Sequence, residues 1–225
     1  MARKTKMEAQ ETRERLLDAA ETVFRHRGVT RTSLAEVATA AGVTRGAVYW
    51  HFKDKAALFH AMCERATLPL DLRLLDRAGE TASTAPLATL RDLCVGALQW
   101  LATDVRTQVV FEVIFHKTEL VDELAGIATS HEDERCQCLG QIEALIRRCA
   151  EVGELPPDID APIAAQGLNA LMVGIMHEWV LDPAAYDLAS AAPALIDAFL
   201  AGLAARPPRR AARGMPRVRA KTSCP

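Results

Sequence analysis

Apolar residues along this chain recur every three or four positions, and β-branched runs alternating with period two do not occur. That spacing puts them on one face of successive α-helices, so the expected fold is all-α. The first helix is predicted from about Glu8 to Arg27, with Leu16, Ala20, Val23 and Phe24 on one face. Gly28 follows, a residue free to take the left-handed backbone that stops a helix. A second helix opens at Ser33, where Glu36 completes an S-x-x-E capping box. Its apolar positions Leu34, Val37, Ala38 and Ala41 keep the spacing, and Gly42 breaks it. Thr44 is placed to cap a third, very short helix ending near His51, with Val43 and Val48 positioned as a hydrophobic staple. Asp54 caps a fourth, which carries Leu58, Phe59 and Met62 towards Leu74.

Beyond a loop from Gly79 to Pro86, helices are predicted near Leu87–Leu101, Val105–Phe115, Leu120–Val152, Ala161–Leu181 and Leu188–Ala205, about nine in all. Gly153 with Pro156-Pro157, and Asp182-Pro183, separate the last three. The expected organisation is a three-helix head over residues 1–55, a helical bundle over 56–205, and a tail over 206–225. The tail is rich in Arg and Pro with little apolar content and is expected to be disordered.

Half of the 225 residues are apolar and a quarter charged, an ordinary globular composition. No stretch approaches the roughly 18 uncharged apolar residues of a membrane span, and no apolar run follows the basic N-terminus. A cytoplasmic protein without a membrane partner is therefore expected. The net charge of −2 conceals an asymmetry. Residues 1–65 hold 12 Lys/Arg against 8 Asp/Glu, residues 66–205 hold 8 against 21, and residues 206–225 hold 7 against none. A basic head on an acidic body suits a protein whose head alone meets a polyanion, although a chance distribution would look the same. The six cysteines lack C-x-x-C spacing; Cys136-Gln-Cys138 near His131 has no second pair, so neither a metal nor a cofactor is expected.

Ser33 to His51 reads SLAEVATAAGVTRGAVYWH: two short helices meeting at a glycine turn, with small Ala38 permitting close packing. This is a helix-turn-helix pattern. The second helix contributes Val48 to a core and leaves Arg45, Tyr49, Trp50 and His51 over, a large outlay of side chain unless that surface docks into a groove. Arg45 can donate twice to guanine O6 and N7. Gly46 and Ala47 are small enough for backbone to approach base edges. Tyr49, His51, Lys55 and the backbone amides near Ser33, Thr44 and Lys55 suit phosphate oxygens. Singly, such a residue is more often an ordinary surface or core-rim residue; the combination at this spacing carries the reading.

The run TSLAEVATAAGVTRGAVYWHFKDKAALF resembles the TetR-family signature, including its aromatic–aromatic–His–Phe stretch and the Lys one turn into the next helix. The opening MARKTKMEAQETRERLLDAA resembles the AcrR-like branch, repressors of multidrug efflux operons. The likeness covers Ala2–Leu68 and is looser beyond. It implies a homodimer that puts Thr44–His51 of each protomer into a major groove of a pseudo-palindromic double-stranded operator. The two recognition helices would then lie about 34 Å or more apart. It also implies release by a small-molecule inducer, apolar or amphipathic.

Candidates for contacting such a ligand are Leu68, Leu72, Cys94, Leu98, Phe111, Phe115, Asn169, Met172 and Met176, since apolar and sulfur-bearing side chains repack around varied shapes. Taken one at a time, core packing is the plainer role for them. Gly167, Ala170, Leu171 and Gly174 form a small-residue stripe, and Leu195, Phe199 and Leu203 an apolar face; together they suit a dimer interface, although intramolecular packing gives the same pattern. A ligand-driven shift of the fourth helix, which begins beside Asp54 and Lys55, is the expected route to DNA release.

An all-helical enzyme is the rival class. His131-Glu132 and His177-Glu178 begin H-E-x-x-H motifs, but Arg135 and Leu181 stand at the closing positions. A helix-turn-helix serving protein contacts alone would show no salt-sensitive DNA binding. A regulator of another operon, or an activator, would share every feature above.

Overall fold

The computed structural model describes residues 2–65, 85–118 and 125–209, which form nine helices among them. These are α1 (Ala2–Arg27), α2 (Leu34–Ala40), α3 (Arg45–His51), α4 (Lys55–Arg65), α5 (Pro86–Thr103), α6 (Val105–His116), α7 (Ala125–Glu151), α8 (Ala161–Leu181) and α9 (Leu188–Ala205). Leu68, Leu72, the loop before Pro86 and the tail beyond residue 209 lie outside the described residues. The helix α1 starts earlier than its apolar stripe predicts, because its opening residues are good helix formers even without an apolar face.

The chain divides into two compact units. The first unites α1–α4 with α6. Leu16, Leu17, Ala20 and Phe24 of α1 are buried with Val37 of α2, Val48 of α3, and Leu58, Phe59 and Met62 of α4. Val110 and Val113 of α6 are fully buried in the same cluster. Backbone joins in as well: the N–H of Val29 donates to the carbonyl of Lys117 at 2.9 Å. Polar links join the helices, from Arg106 to Asp18 (3.3 Å) and Glu21 (3.6 Å), and from Arg65 to Asp18 (2.7 Å) and Glu21 (2.9 Å), with the Arg65 and Glu21 side chains largely covered. Desolvation raises the Glu21 carboxyl above the ordinary glutamate value, against the pull of Arg65 and Arg106.

The second unit holds α5, most of α7, α8 and α9. Along α9, Leu188, Ala192, Ile196, Leu200 and Leu203 are buried at helical spacing, as are Leu90, Cys94, Leu98 and Leu101 along α5. Proline inside a helix leaves a carbonyl without its donor. In α9 Pro193 leaves that of Ala189, and Gln99 Nε2 of α5 donates to it at 3.2 Å. By length and composition Leu188–Ala205 is apolar enough to cross a membrane, more so than the sequence reading allowed. Its single charge, Asp197, is held by Arg91 of α5 at 2.5 and 2.9 Å. The helix α7 ends in a Schellman motif: Gly153 sits at φ +85°, and Glu154 N–H donates to the Cys149 carbonyl at 2.8 Å. Glu154 then accepts from Leu87 N–H at 2.8 Å, supplying the cap that Ala85 cannot.

Residues 206–209 depart from the expectation of disorder from residue 206. Arg209 forms an isolated antiparallel bridge with Ile159, Asp160 N–H donates to the Pro208 carbonyl at 2.7 Å, and Arg209 pairs with Asp158 at 3.4 Å.

Candidate nucleic-acid interface

The short helices α2 and α3 are held by local devices. Ser33 Oγ accepts from Glu36 N–H at 3.3 Å, and the Glu36 carboxylate accepts from Ser33 N–H at 2.8 Å, the full capping box. These bonds, with Arg27 alongside, hold the Glu36 carboxyl below the ordinary glutamate value. At the far end Gly42 adopts φ +65°, which a side-chain-bearing residue disfavours. Thr44 Oγ1 accepts from Ala47 N–H at 3.3 Å to open α3. Val43 is partly buried and packs against the core cluster to which fully buried Val48 belongs, as a staple would require. Asp54 Oδ1 caps α4 through Ala57 N–H at 2.8 Å.

Val48 is the one buried residue of α3. Anchored there, the helix turns the rest outward: Arg45 and Gly46 are exposed, Tyr49 is 50% and Trp50 73% exposed. The Arg45 guanidinium lies 5.9 Å from the Tyr49 ring centroid, a cation–π arrangement that pre-orients both. Trp50 meets the His51 ring edge-on at 4.6 Å between centroids. His51 is half-buried, and desolvation, then the charge of Arg13, lowers its pKa from the ordinary histidine value. Arg13 itself lies over the Phe52 ring at 5.4 Å.

A groove of about 450 Å³ runs beside α3, lined by residues 30–34, Tyr49, Lys53, Asp54 and Lys55. It brings Ser33, Tyr49 and Lys55 together. It also adds Arg31 and Lys53, which the sequence reading passed over: Lys53 follows Tyr49 by four residues, whereas Arg31 is 18 residues away and joins it only through the fold. Lys55 Nζ donates to the Thr30 carbonyl at 2.9 Å, so one of its three protons is committed inside the protein.

The other candidates fall in separate places. Phe111 and Phe115 are half-buried in the first unit, edge to face at 5.4 Å. In the second unit Cys94, Leu98, Met172 and Met176 are all buried, as core residues are, and Asn169 is half-buried. Burial pushes the Cys94 thiol up to about 12, so it stays protonated at neutral pH. Ala170 and Gly174 are exposed, Gly167, Leu171, Leu195 and Phe199 half-buried. Leu203 differs from its neighbours in that set: it is buried within its own chain, because it follows Leu200 on the face towards α5 rather than Phe199.

Residues 16–62 match the family described as bacterial regulatory proteins, tetR family, and residues 85–205 match the MAATS-type transcriptional repressor, C-terminal region. The HTH-type transcriptional regulator AcrR of Shigella flexneri is 39% identical over 188 residues, 84% of this chain and 87% of that one. Among solved structures, NalD, the secondary repressor of the MexAB-OprM multidrug efflux pump in Pseudomonas aeruginosa, is similar with a TM-score of 0.73 at 32% identity, over 88% of this chain and 98% of that one. The triclosan complex of SmeT, a Stenotrophomonas maltophilia efflux-pump repressor, matches with a TM-score of 0.73 at 30% identity, over 92% and 99%. Similar in both parts, and along most of its length, to transcriptional regulators rather than enzymes, the chain belongs to the TetR family.

Proposed function

We propose that this TetR-family regulator is a homodimeric, cytoplasmic repressor of a multidrug efflux operon, released from a pseudo-palindromic operator by a small apolar or amphipathic molecule. The observation that carries the DNA-reading part is α3 itself: a capped helix seated on Val48, with Arg45, Tyr49 and Trp50 in solvent. Arg45 reads guanine, Gly46 and Ala47 let the backbone close on base edges, and Trp50 packs along the groove wall. Tyr49, His51, the two remaining Lys55 protons and the amide at Thr44 take phosphates, whereas the Ser33 amide and hydroxyl both donate to Glu36 and are spent within the capping box. NalD and the triclosan-bound SmeT support the efflux and inducer parts of the reading.

Dimerisation is assigned to α8 and α9. Ile163, Gly167, Ala170, Gly174 and Leu181 fall on one stripe of α8, and Ile163 and Leu181 are each 58% exposed, apolar area a partner helix would cover. For the ligand, the Phe111–Phe115 pair is the candidate in the first unit and Asn169, one turn from Met172, in the second. Release follows when the ligand prefers the DNA-incompetent state, through displacement of α4, with a coupling of about 1–3 kcal/mol.

Selection of duplexes from a random-sequence pool tests the reading, followed by titration of the selected duplex with triclosan and other apolar compounds. A preferred palindromic sequence, weakened by at least one compound, is expected. Absence of any sequence preference removes the DNA-reading role. Unchanged affinity across all compounds removes the inducer.

A further inference from the structure

We propose that Arg15 is a positioning residue for sequence reading: it fastens the turn between α2 and α3 to α1 and so sets the direction in which α3 presents Arg45. The closing bonds of α2 run from Ala41, Gly42 and Val43 N–H groups to Val37, Thr39 and Ala38 carbonyls. They leave the carbonyls of Ala41 and Gly42 past the helix end. Arg15 Nη2 takes both, at 2.5 and 3.3 Å. A Cβ at position 42 would lie 3.2 Å from that same nitrogen, so glycine provides room for the guanidinium as well as the positive φ. Arg15 adjoins Leu16 and Leu17, both fully buried, which fixes where its stem begins. At the other flank of α2, Lys55 Nζ holds Thr30. The helix α2 is thus tied at both ends by cations bonded to backbone, the Arg15 tie lies just ahead of α3, and a reading helix must be held within about 10–20° of its working direction.

The proposal rests on α3 being the DNA-reading helix. Arg15→Gln and Arg15→Lys are compared with wild type on the selected duplex and on a mixed-sequence duplex, across a salt series. Arg15→Gln should lose about tenfold on the selected duplex, the scale of one charged hydrogen bond, with less than about twofold loss on mixed sequence. The salt slope should stay unchanged, and Arg15→Lys, which keeps a cationic donor, should recover most of the loss. Full affinity in Arg15→Gln overturns the proposal. So does a salt slope reduced by about one, which would make Arg15 a phosphate contact. Equal losses on both duplexes, with a lowered denaturation midpoint, would leave only a structural role. A wild type that does not discriminate the duplexes sinks the DNA-reading assignment itself; a discriminating wild type matched by Arg15→Gln sinks this proposal alone.

Discussion

Glu112 on α6 accepts from Arg25 Nε on α1 at 2.7 Å, across 87 positions of chain. Together with Arg106, the Val29–Lys117 backbone bond and buried Val110 and Val113, this makes α6 part of the head's own core. A displacement of α6 therefore acts on α1 and α4 without an intermediary, and Phe111 and Phe115 ride on that helix.

Val113→Ala should destabilise the head by about 1.5–2.5 kcal/mol, from lost transfer free energy and the cavity left behind. Urea unfolding of the full chain measures it. A change near zero would mean that α6 is loosely attached.

Arg45→Ala should flatten sequence preference, costing about 1–3 kcal/mol on the selected duplex and little on mixed sequence. Lys53→Ala should weaken both alike and lower the salt slope by about one. Competition binding at several salt concentrations separates the two. Wild-type behaviour in both variants would remove α3 and its flank from the interface.

His51 carries a sign that can be checked. Burial and Arg13 disfavour its proton in the free protein, whereas a neighbouring phosphate favours it. Binding should then take up a proton, so affinity rises as pH falls from about 8 to about 6, by at most about tenfold per unit. For folding the sign is opposite: the contribution is present above about pH 6.5, the unfolded value, and lost as pH falls through the lowered folded value. His51→Gln should abolish both trends, and parallel pH profiles for variant and wild type would remove the phosphate role.

Gly174→Glu probes the dimer without disturbing the protomer, because a Cβ added there meets nothing within 4 Å. Helix propensity should improve slightly while two carboxylates are forced together at the partner face. Sedimentation should report a monomer of unchanged helicity, with operator affinity reduced. A stable dimer would move the interface elsewhere.

What could be read before folding was whatever is local. Ser33 with Glu36, Thr44, Asp54, and the stops at Gly28, Gly42 and Gly153 act within one turn of chain, and each does its expected work. The apolar spacing located α8 and α9 to the residue. Long-range choices were hidden. Nothing in Val105–His116 says that its valines fill the head rather than the bundle, since an amphipathic face does not name its partner. Arg15 looks like one more exposed cation until Ala41 folds back beside it, 26 residues on. Leu203 shares helical spacing with both Leu195 and Leu200, and only packing against α5 decides which it follows.

Trp50 has a further consequence. Of the three tryptophans, Trp179 is sealed, its indole N–H given to the Tyr186 carbonyl at 3.1 Å, while Trp50 stands nearly three-quarters in water. Trp100 is 46% exposed, so a collisional quencher such as acrylamide would dim Trp50 most, Trp100 less and Trp179 least. A duplex seated on α3 would shield Trp50, and the fall in quenching on titration would need no label.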